Sequence, residues 1–361
     1  MVFGSGPNEN GKPGIASSLD DAVSNTSGKV FVVDLMNLAK NQEVWSVDGL
    51  NFGKPLLAGH HVYSEIGTNT FISDIVSVDY DLDYFADALY FGTVKGSEIL
   101  GWGGQLQRVE LFDSSNSAHW VNSVLIDLGS VKQPITAAPT IGIDKAKNKW
   151  VFFGTGRFFS NSDIQNKDLQ SYYGIKDKYI GVNRNNLLNV TNVDVYYDEA
   201  VTGLVGVTTF SELDLKISTM DGWLIDLKTE TGLSVGHRNL GQAALLGEVL
   251  TFTSYLPSAD VCQTEGTSEL YAVYYKTGTA YKKPILDAIW HDDGDSIVEQ
   301  NELQLRKRMS IGSGMALSPN IHVGSEDGAK AFIQTSKGGI SIFQEDAPGL
   351  SKSVKSYWRQ R

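Results

Sequence analysis

The chain has 361 residues, 41% of them apolar and 10% aromatic, and a formal net charge of −12. That is enough apolar material for a sizeable core, whether in one large all-β domain or in two smaller ones. An acidic surface repels nucleic-acid phosphates and anionic lipid headgroups, and no apolar run approaches the roughly 20 residues of a membrane helix, so neither a nucleic-acid partner nor a membrane span is expected.

The opening segment, MVFGSGPNENGKPG, lacks the basic and apolar regions of a signal peptide and reads as the inside of a strand. A chain that starts this way is expected to be a piece or processed product of a longer protein. Short apolar runs rich in β-branched and aromatic residues then recur at Lys29–Leu35, Ala88–Gly92, Gln105–Leu111 and Lys149–Gly154. They continue at Gly222–Leu227, Val249–Tyr255, Glu269–Tyr275 and Gly339–Phe343, and each suits a half-buried pleated strand. Between them, Gly101–Gly104 and Gly154–Gly156 read as tight turns, and Asn161–Gln170 and Asn183–Asn192 as long surface loops. Only Ile297–Met309 has the composition of a short helix. Arg306-Lys307-Arg308 has no interleaved aromatic residues and reads as a solvated basic face.

Two strands end in the same turn chemistry, at Thr231-Gly232 and Thr277-Gly278, close to the ~40–50-residue period of a four-stranded propeller blade. ITAAP (Ile135–Pro139) and MALSP (Met315–Pro319) each precede a strand. Repeated strand clusters with repeated turns favour a modified β-propeller with irregular long loops; a β-sandwich or irregular sheet stack is the competing architecture.

The sharpest feature is SVDYDLDYFADALYFG, Ser77 to Gly92. Asp79, Asp81, Asp83 and Asp87 occupy relative positions 1, 3, 5 and 9 between two apolar strands. Carboxylates this close repel one another unless a cation neutralises them. Calcium takes about 6–8 oxygen ligands and is held elsewhere by loops with this spacing, which use a backbone carbonyl at position 7. Here that carbonyl belongs to Phe85. Position 6 is Tyr84 instead of glycine and position 12 is Tyr90 instead of a bidentate glutamate, so water or a distant oxygen has to complete the shell. An acidic turn without an ion is the alternative. The acidic stretch His291–Asp295, with Glu299 and Glu302, lacks a ligand pattern and reads as solvated.

No catalytic constellation is apparent, and the chain is not expected to be an enzyme. The six histidines show no zinc spacing, His60-His61 being adjacent, and neither a nucleophile elbow nor a phosphate loop is present. The single cysteine, Cys262, has no internal disulfide partner. The tryptophans that fall inside strand patterns are expected in the core.

Several segments, in order, resemble the C-terminal propeller domain of the PilY/PilC family of type IV pilus biogenesis factors and tip-located adhesins. They are MVFGSGPN with FVVDL, the aspartate loop running into ALYFGTVKG, and PITAAPTIG followed by WVFFGTGRFF and QSYYGIKD. GWLIDLKTETG, LTFTSYLPSADVC with ELYAVYYKTG, IGSGMALSPNI and the terminal YWRQR complete the series. The resemblance implies a C-terminal PilY-like domain over 1–361 whose calcium loop, 79–87, regulates pilus extension and retraction and surface attachment. It implies Ca²⁺ held by Asp79, Asp81, Asp83, Asp87 and the Phe85 carbonyl. It also implies contact with the pilus machinery, minor pilins and other parts or chains of the same adhesin. The expected place is the cell surface, at the pilus tip or outer membrane. The family's earlier propeller motif, of the GANDGMLHAFD type, and its N-terminal adhesive region are absent, so the resemblance implies the C-terminal part only, an incomplete propeller with some blades missing or supplied by another polypeptide; GWGGQLQRVEL also differs at one blade, and Tyr274 replaces an aspartate. The alternative is a quinone-dependent propeller dehydrogenase, which shares the tryptophans and Thr-Gly turns but places calcium centrally beside its cofactor.

Overall fold

A computed structural model describes residues 2–6, 8–9, 22–23, 27–33, 61–97, 99–112, 119–228, 236–258, 265–286, 288–290, 302–323 and 329–345. Cys262, the Thr231-Gly232 turn, His60, the acidic stretch up to residue 301 and the YWRQR terminus lie outside the described residues. The chain is mainly β and gathers in two compact units. The first comprises Met1–Tyr172, Lys176–Asn185 and Leu227–Leu240, and the second Tyr173–Ile175, Asn186–Asp226 and Gly241–Arg361.

In the first unit, β1 (Val2–Gly4), β2 (Gly28–Val33) and β3 (His61–Ile66) pair antiparallel in that order. A second sheet is built around a ten-residue strand. It contains β4 (Thr70–Ile72), β5 (Val76–Val78), β6 (Ala88–Ser97), β7 (Gly101–Gly103), β8 (Gln105–Glu110) and β9 (Val121–Asp127). Strand β6 pairs β5 and then β4 along one edge, and β8 and then β7 along the other. Ala88 through Val94 are all buried, so β6 is covered on both faces. The period-two alternation of a strand sends Leu89 and Phe91 into one cluster with Val30, Ile66, Ile72 and Val109, and turns Tyr90 the other way. Gly101–Gly103 is therefore a strand, not the expected turn; its Trp102 packs with Phe71 and Val94, which a turn could not bury. β10 (Thr140–Ile143), β11 (Lys149–Gly154) and β12 (Ser171–Asp177) follow, β12 contributing Tyr173–Ile175 to the second unit.

The stretch 161–170 is not a simple surface loop. Asp163 is buried within a single helical turn, Ser162–Gln165. It accepts from Arg157 Nη1 at 2.6 Å and from the amides of Phe159 and Ser160. Arg238 donates to the carbonyls of Arg157, Asp163 and Asn166. A buried carboxylate needs such partners, and they draw the segment inward.

In the second unit, β13 (Leu188–Asn189) lies in the stretch 183–192, where Leu187, Leu188 and Val190 are buried, against the expectation of an exposed loop. Helix α1 (Phe210–Ser218) has Thr209 at its N-cap in a full capping box with Glu212, and it buries Phe210, Leu213 and Ile217. β14 (Gly222–Asp226) pairs parallel with β13. β15 (Ala244–Leu246), β16 (Val249–Leu256) and β17 (Thr267–Tyr274) lead to β18 (Leu303–Leu305) and β19 (Arg308–Ser313), and β15, β16, β17 and β19 form one antiparallel sheet. β20 (Asn320–Val323), β21 (Ala329–Gln334) and β22 (Ile340–Glu345) form another. ITAAP precedes β10 and MALSP precedes β20, as expected from sequence.

Two expectations fail around residue 305. The helix read over 297–309 is replaced, where described, by β18 and β19. Met309 pairs with Leu270 and packs beside Ala316 and Ile333, and this tertiary pairing overrides helix propensity. Nor is Arg306-Lys307-Arg308 a solvated face. Lys307 Nζ donates to the carbonyls of Thr191 and Val193 at 2.8 Å each, and burial pulls its ammonium down to about 8 despite nearby Asp194. With the folded value below the unfolded one, the unfolded chain binds more protons between the two. Stability should therefore rise as pH climbs from about 8 to 9.5, and this gain should vanish in Lys307→Met. Urea unfolding of both proteins across that window measures it.

Candidate metal centre

The register of β5 and β6 builds the aspartate loop. Val78 pairs with Ala88, and the Asp87 amide donates to the Val78 carbonyl at 2.8 Å, so residues 79–87 form the connection of a hairpin. The first and ninth positions, Asp79 and Asp87, are thereby brought side by side at its mouth. Asp79 turns the loop around its own carboxylate: Oδ1 accepts from the Leu82 amide at 2.6 Å and Oδ2 from the Tyr84 amide at 2.9 Å. Asp81 accepts from the Asp83 amide at 3.3 Å, Asp83 from the Phe85 amide at 2.8 Å, and Asp87 Oδ2 from the Tyr80 amide. Leu82 and Tyr84 take left-handed backbone, with φ of 64° and 75°. The turn that calcium loops commonly give to glycine at position 6 is thus made here by Tyr84, at a cost of about 1–2 kcal/mol.

One carboxylate oxygen each from Asp79, Asp81 and Asp87 lies within 4.8 Å of the others. Asp83 is not in that cluster; its carboxylate accepts from the Phe85 amide. The Asp81 carboxyl is raised above its usual value, by desolvation first and then by repulsion from Asp83, Asp87 and Asp79, against the hydrogen bond from the Asp83 amide. Three hard oxygen donors converging on one point, in mutual repulsion, are chemically suited to a hard divalent cation. Around them the loop exposes a cluster of apolar side chains, Leu82 at 78%, Tyr84 at 96% and Phe85 at 66% exposure.

Beneath the loop lies a buried polar group that sequence reading did not find. Tyr90 donates to Asp177 Oδ2 at 2.6 Å, Arg108 Nη1 donates to Asp177 Oδ1, and Arg108 Nη2 meets Glu110 at 2.7 Å. The Asp177 side chain is fully buried. Its partners stand 69 and 87 positions away in sequence, beyond any motif spacing.

No protein-family model matches the chain. Two curated relatives, both described as type IV pilus biogenesis factor PilY1 homologs from Xylella fastidiosa strain Temecula1, align with it. One is 28% identical over 221 residues, covering 58% of this chain and 17% of the relative. The other is 23% identical over 277 residues, covering 73% and 18%. The chain thus spans less than a fifth of the length of these relatives. Among solved structures, the crystal structure of the Pseudomonas aeruginosa PilY1 C-terminal domain matches 94% of this chain and 72% of that one, with a TM-score of 0.58 and 16% identity. The expected modified propeller is borne out by that match: the fold is of β-propeller type, with several sheets, none of them closed among the described residues. The chain is thus similar in sequence to PilY1 homologs and shares the fold of the PilY1 C-terminal domain.

Proposed function

We propose that this chain is the calcium-binding propeller module of a type IV pilus biogenesis factor, acting at the cell surface as a binding and assembly part and not as an enzyme. The observation that carries the cation reading is the convergence of Asp79, Asp81 and Asp87 at the mouth of one hairpin. Asp83 and the Phe85 carbonyl are the further ligands in this reading. The pilus reading is supported by the names of the aligned relatives.

A bound divalent cation supplies positive charge that relieves the repulsion among these carboxylates. The chain's own contribution is to hold the carboxylates in place and to present Leu82, Tyr84 and Phe85 beside them. Such an apolar tip suits contact with minor pilins, the pilus machinery or another part of the same adhesin. Differential occupancy of the loop then biases that contact, and with it pilus extension, retraction and attachment. The quinone-dehydrogenase alternative requires calcium beside a cofactor; these aspartates lie in an exposed hairpin loop.

Asp81→Ala removes one ligand from an exposed position. It is expected to weaken calcium binding by about tenfold or more while leaving the far-ultraviolet circular dichroism unchanged. In the full-length protein the same variant is expected to alter surface piliation. Unchanged calorimetric affinity would remove the site assignment; lost affinity with unaltered piliation would remove the pilus role assigned to it.

A further inference from the structure

Tyr80 stands between two of the clustered aspartates, yet its side chain points away from them. Its hydroxyl lies 2.6 Å from that of Tyr90, which in turn donates to Asp177 Oδ2 at 2.6 Å. A phenol carries one proton. Because Tyr90 gives its proton to Asp177, the Tyr80 hydroxyl must be the donor of the pair, so the chain runs one way, from Tyr80 to Tyr90 to Asp177. Asp177 is held at the far end by Arg108 and by the Tyr179 amide at 2.8 Å. Lys149 Nζ sits over the Tyr80 ring, 3.7 Å from its centre, and over that of Tyr179. At its other end, the Tyr80 amide donates to Asp87 Oδ2.

We infer that Tyr80 is the positioning residue of the aspartate loop, its amide fixing the Asp87 carboxylate while its hydroxyl fastens the loop, through Tyr90, to the buried Asp177–Arg108 pair. Two attachments on one residue set where the ninth-position carboxylate stands relative to the first and third. They also give the loop a direct line to β12 and β8, so a change in loop order reaches buried strands without passing through solvent-exposed residues. The calcium part of this inference rests on the cation reading above; the tether itself does not.

Tyr80→Phe and Tyr90→Phe each break the chain and keep the ring, and Tyr197→Phe, at an exposed ring outside the loop, is the control. Amide hydrogen exchange over residues 80–87 in the presence of a chelator reads the tether without any cation. Both chain variants are expected to speed loop exchange about three- to tenfold, the ratio that the net worth of one hydrogen bond commonly gives, and the double variant no more than either single one. Calcium affinity is expected to fall by a similar ratio in both, whereas a merely supporting residue would shift the urea midpoint and leave affinity alone. Tyr197→Phe should change neither. Wild-type exchange and affinity in Tyr80→Phe would overturn the inference, as would additive effects in the double variant. If the unaltered protein takes up no calcium, the cation reading fails by itself, and the exchange comparison still decides the tether.

Discussion

Arg108→Met is expected to destabilise the chain by about 3–5 kcal/mol, because it leaves a carboxylate in the interior without its counter-charge. The Asp177 side chain is fully buried and that of Arg108 only 4% exposed, so neither group can turn to water. After the substitution Asp177 keeps the Tyr90 hydroxyl and the Tyr179 amide, but those two hydrogen bonds do not offset the desolvation of a full charge. Glu110 loses an ion pair too, at lower cost, since it is 16% exposed. The double substitution Arg108→Met with Asp177→Leu removes both charges and should recover most of the loss, although Tyr90 then lacks its acceptor. Urea unfolding of the three proteins gives the comparison. A single-variant loss under about 1 kcal/mol would place this pair among exposed, weakly contributing ones.

The second large effect is expected at Trp223. Its side chain is fully buried, and its Nε1 donates to the Tyr275 carbonyl at 2.9 Å. Glycines pack closely against the indole: a Cβ on Gly174 would come within 2.4 Å of Cε2, and one on Gly278 within 2.4 Å of Cε3. Gly278 is the glycine of the Thr-Gly turn after β17, with φ of 69° and its amide donating to the Tyr274 carbonyl. That turn therefore uses glycine for two reasons, the left-handed backbone and the ring against it. Trp223→Ala should cost about 3–5 kcal/mol, the usual range for emptying a large aromatic site. Gly278→Ala should also destabilise, through backbone and overlap together. In a Trp223→Ala background its cost should shrink, since only the backbone part is left. Purely additive losses would show that the ring contact contributes nothing.

These two sites show what sequence can and cannot disclose. The strands were legible because their β-branched and aromatic runs suit a pleated, buried surface; where described, all eight runs, from Lys29–Leu35 to Gly339–Phe343, fall on strands. The tryptophan reading holds at Trp150 and Trp223, both buried inside runs read as strands, and Trp102, read in a turn, is buried as well. Helix α1 went unread although Thr209 and Glu212 stand at capping-box spacing, because only a short apolar stripe follows them. Residues 303–313 misled in the opposite sense: good helix formers there are held as strands by partners far away in sequence.

The aspartate loop was legible as a spacing pattern, and the structure draws Asp79, Asp81 and Asp87 together. What spacing could not show is that every aspartate also accepts a loop amide, or that Tyr80 faces inward. The Arg108–Asp177 pair and the Tyr90 hydroxyl are joined only by folding, and a local motif has no trace of them. The same holds for Lys307, which looks solvated in a basic triplet and is in fact clasped by backbone carbonyls.

The central claim is that the loop from Asp79 to Asp87 holds a hard divalent cation. Terbium is a calcium-sized reporter whose luminescence rises when a tyrosine nearby absorbs and passes on its energy, and Tyr80 and Tyr84 flank the clustered carboxylates. Titrating terbium into the wild-type protein and into Asp87→Ala, then adding calcium, is the most direct measurement. Saturable luminescence in the wild type, displaced by calcium and largely lost in the variant, is the predicted result; equal signals from both proteins, or a wild-type signal that calcium cannot displace, would contradict it.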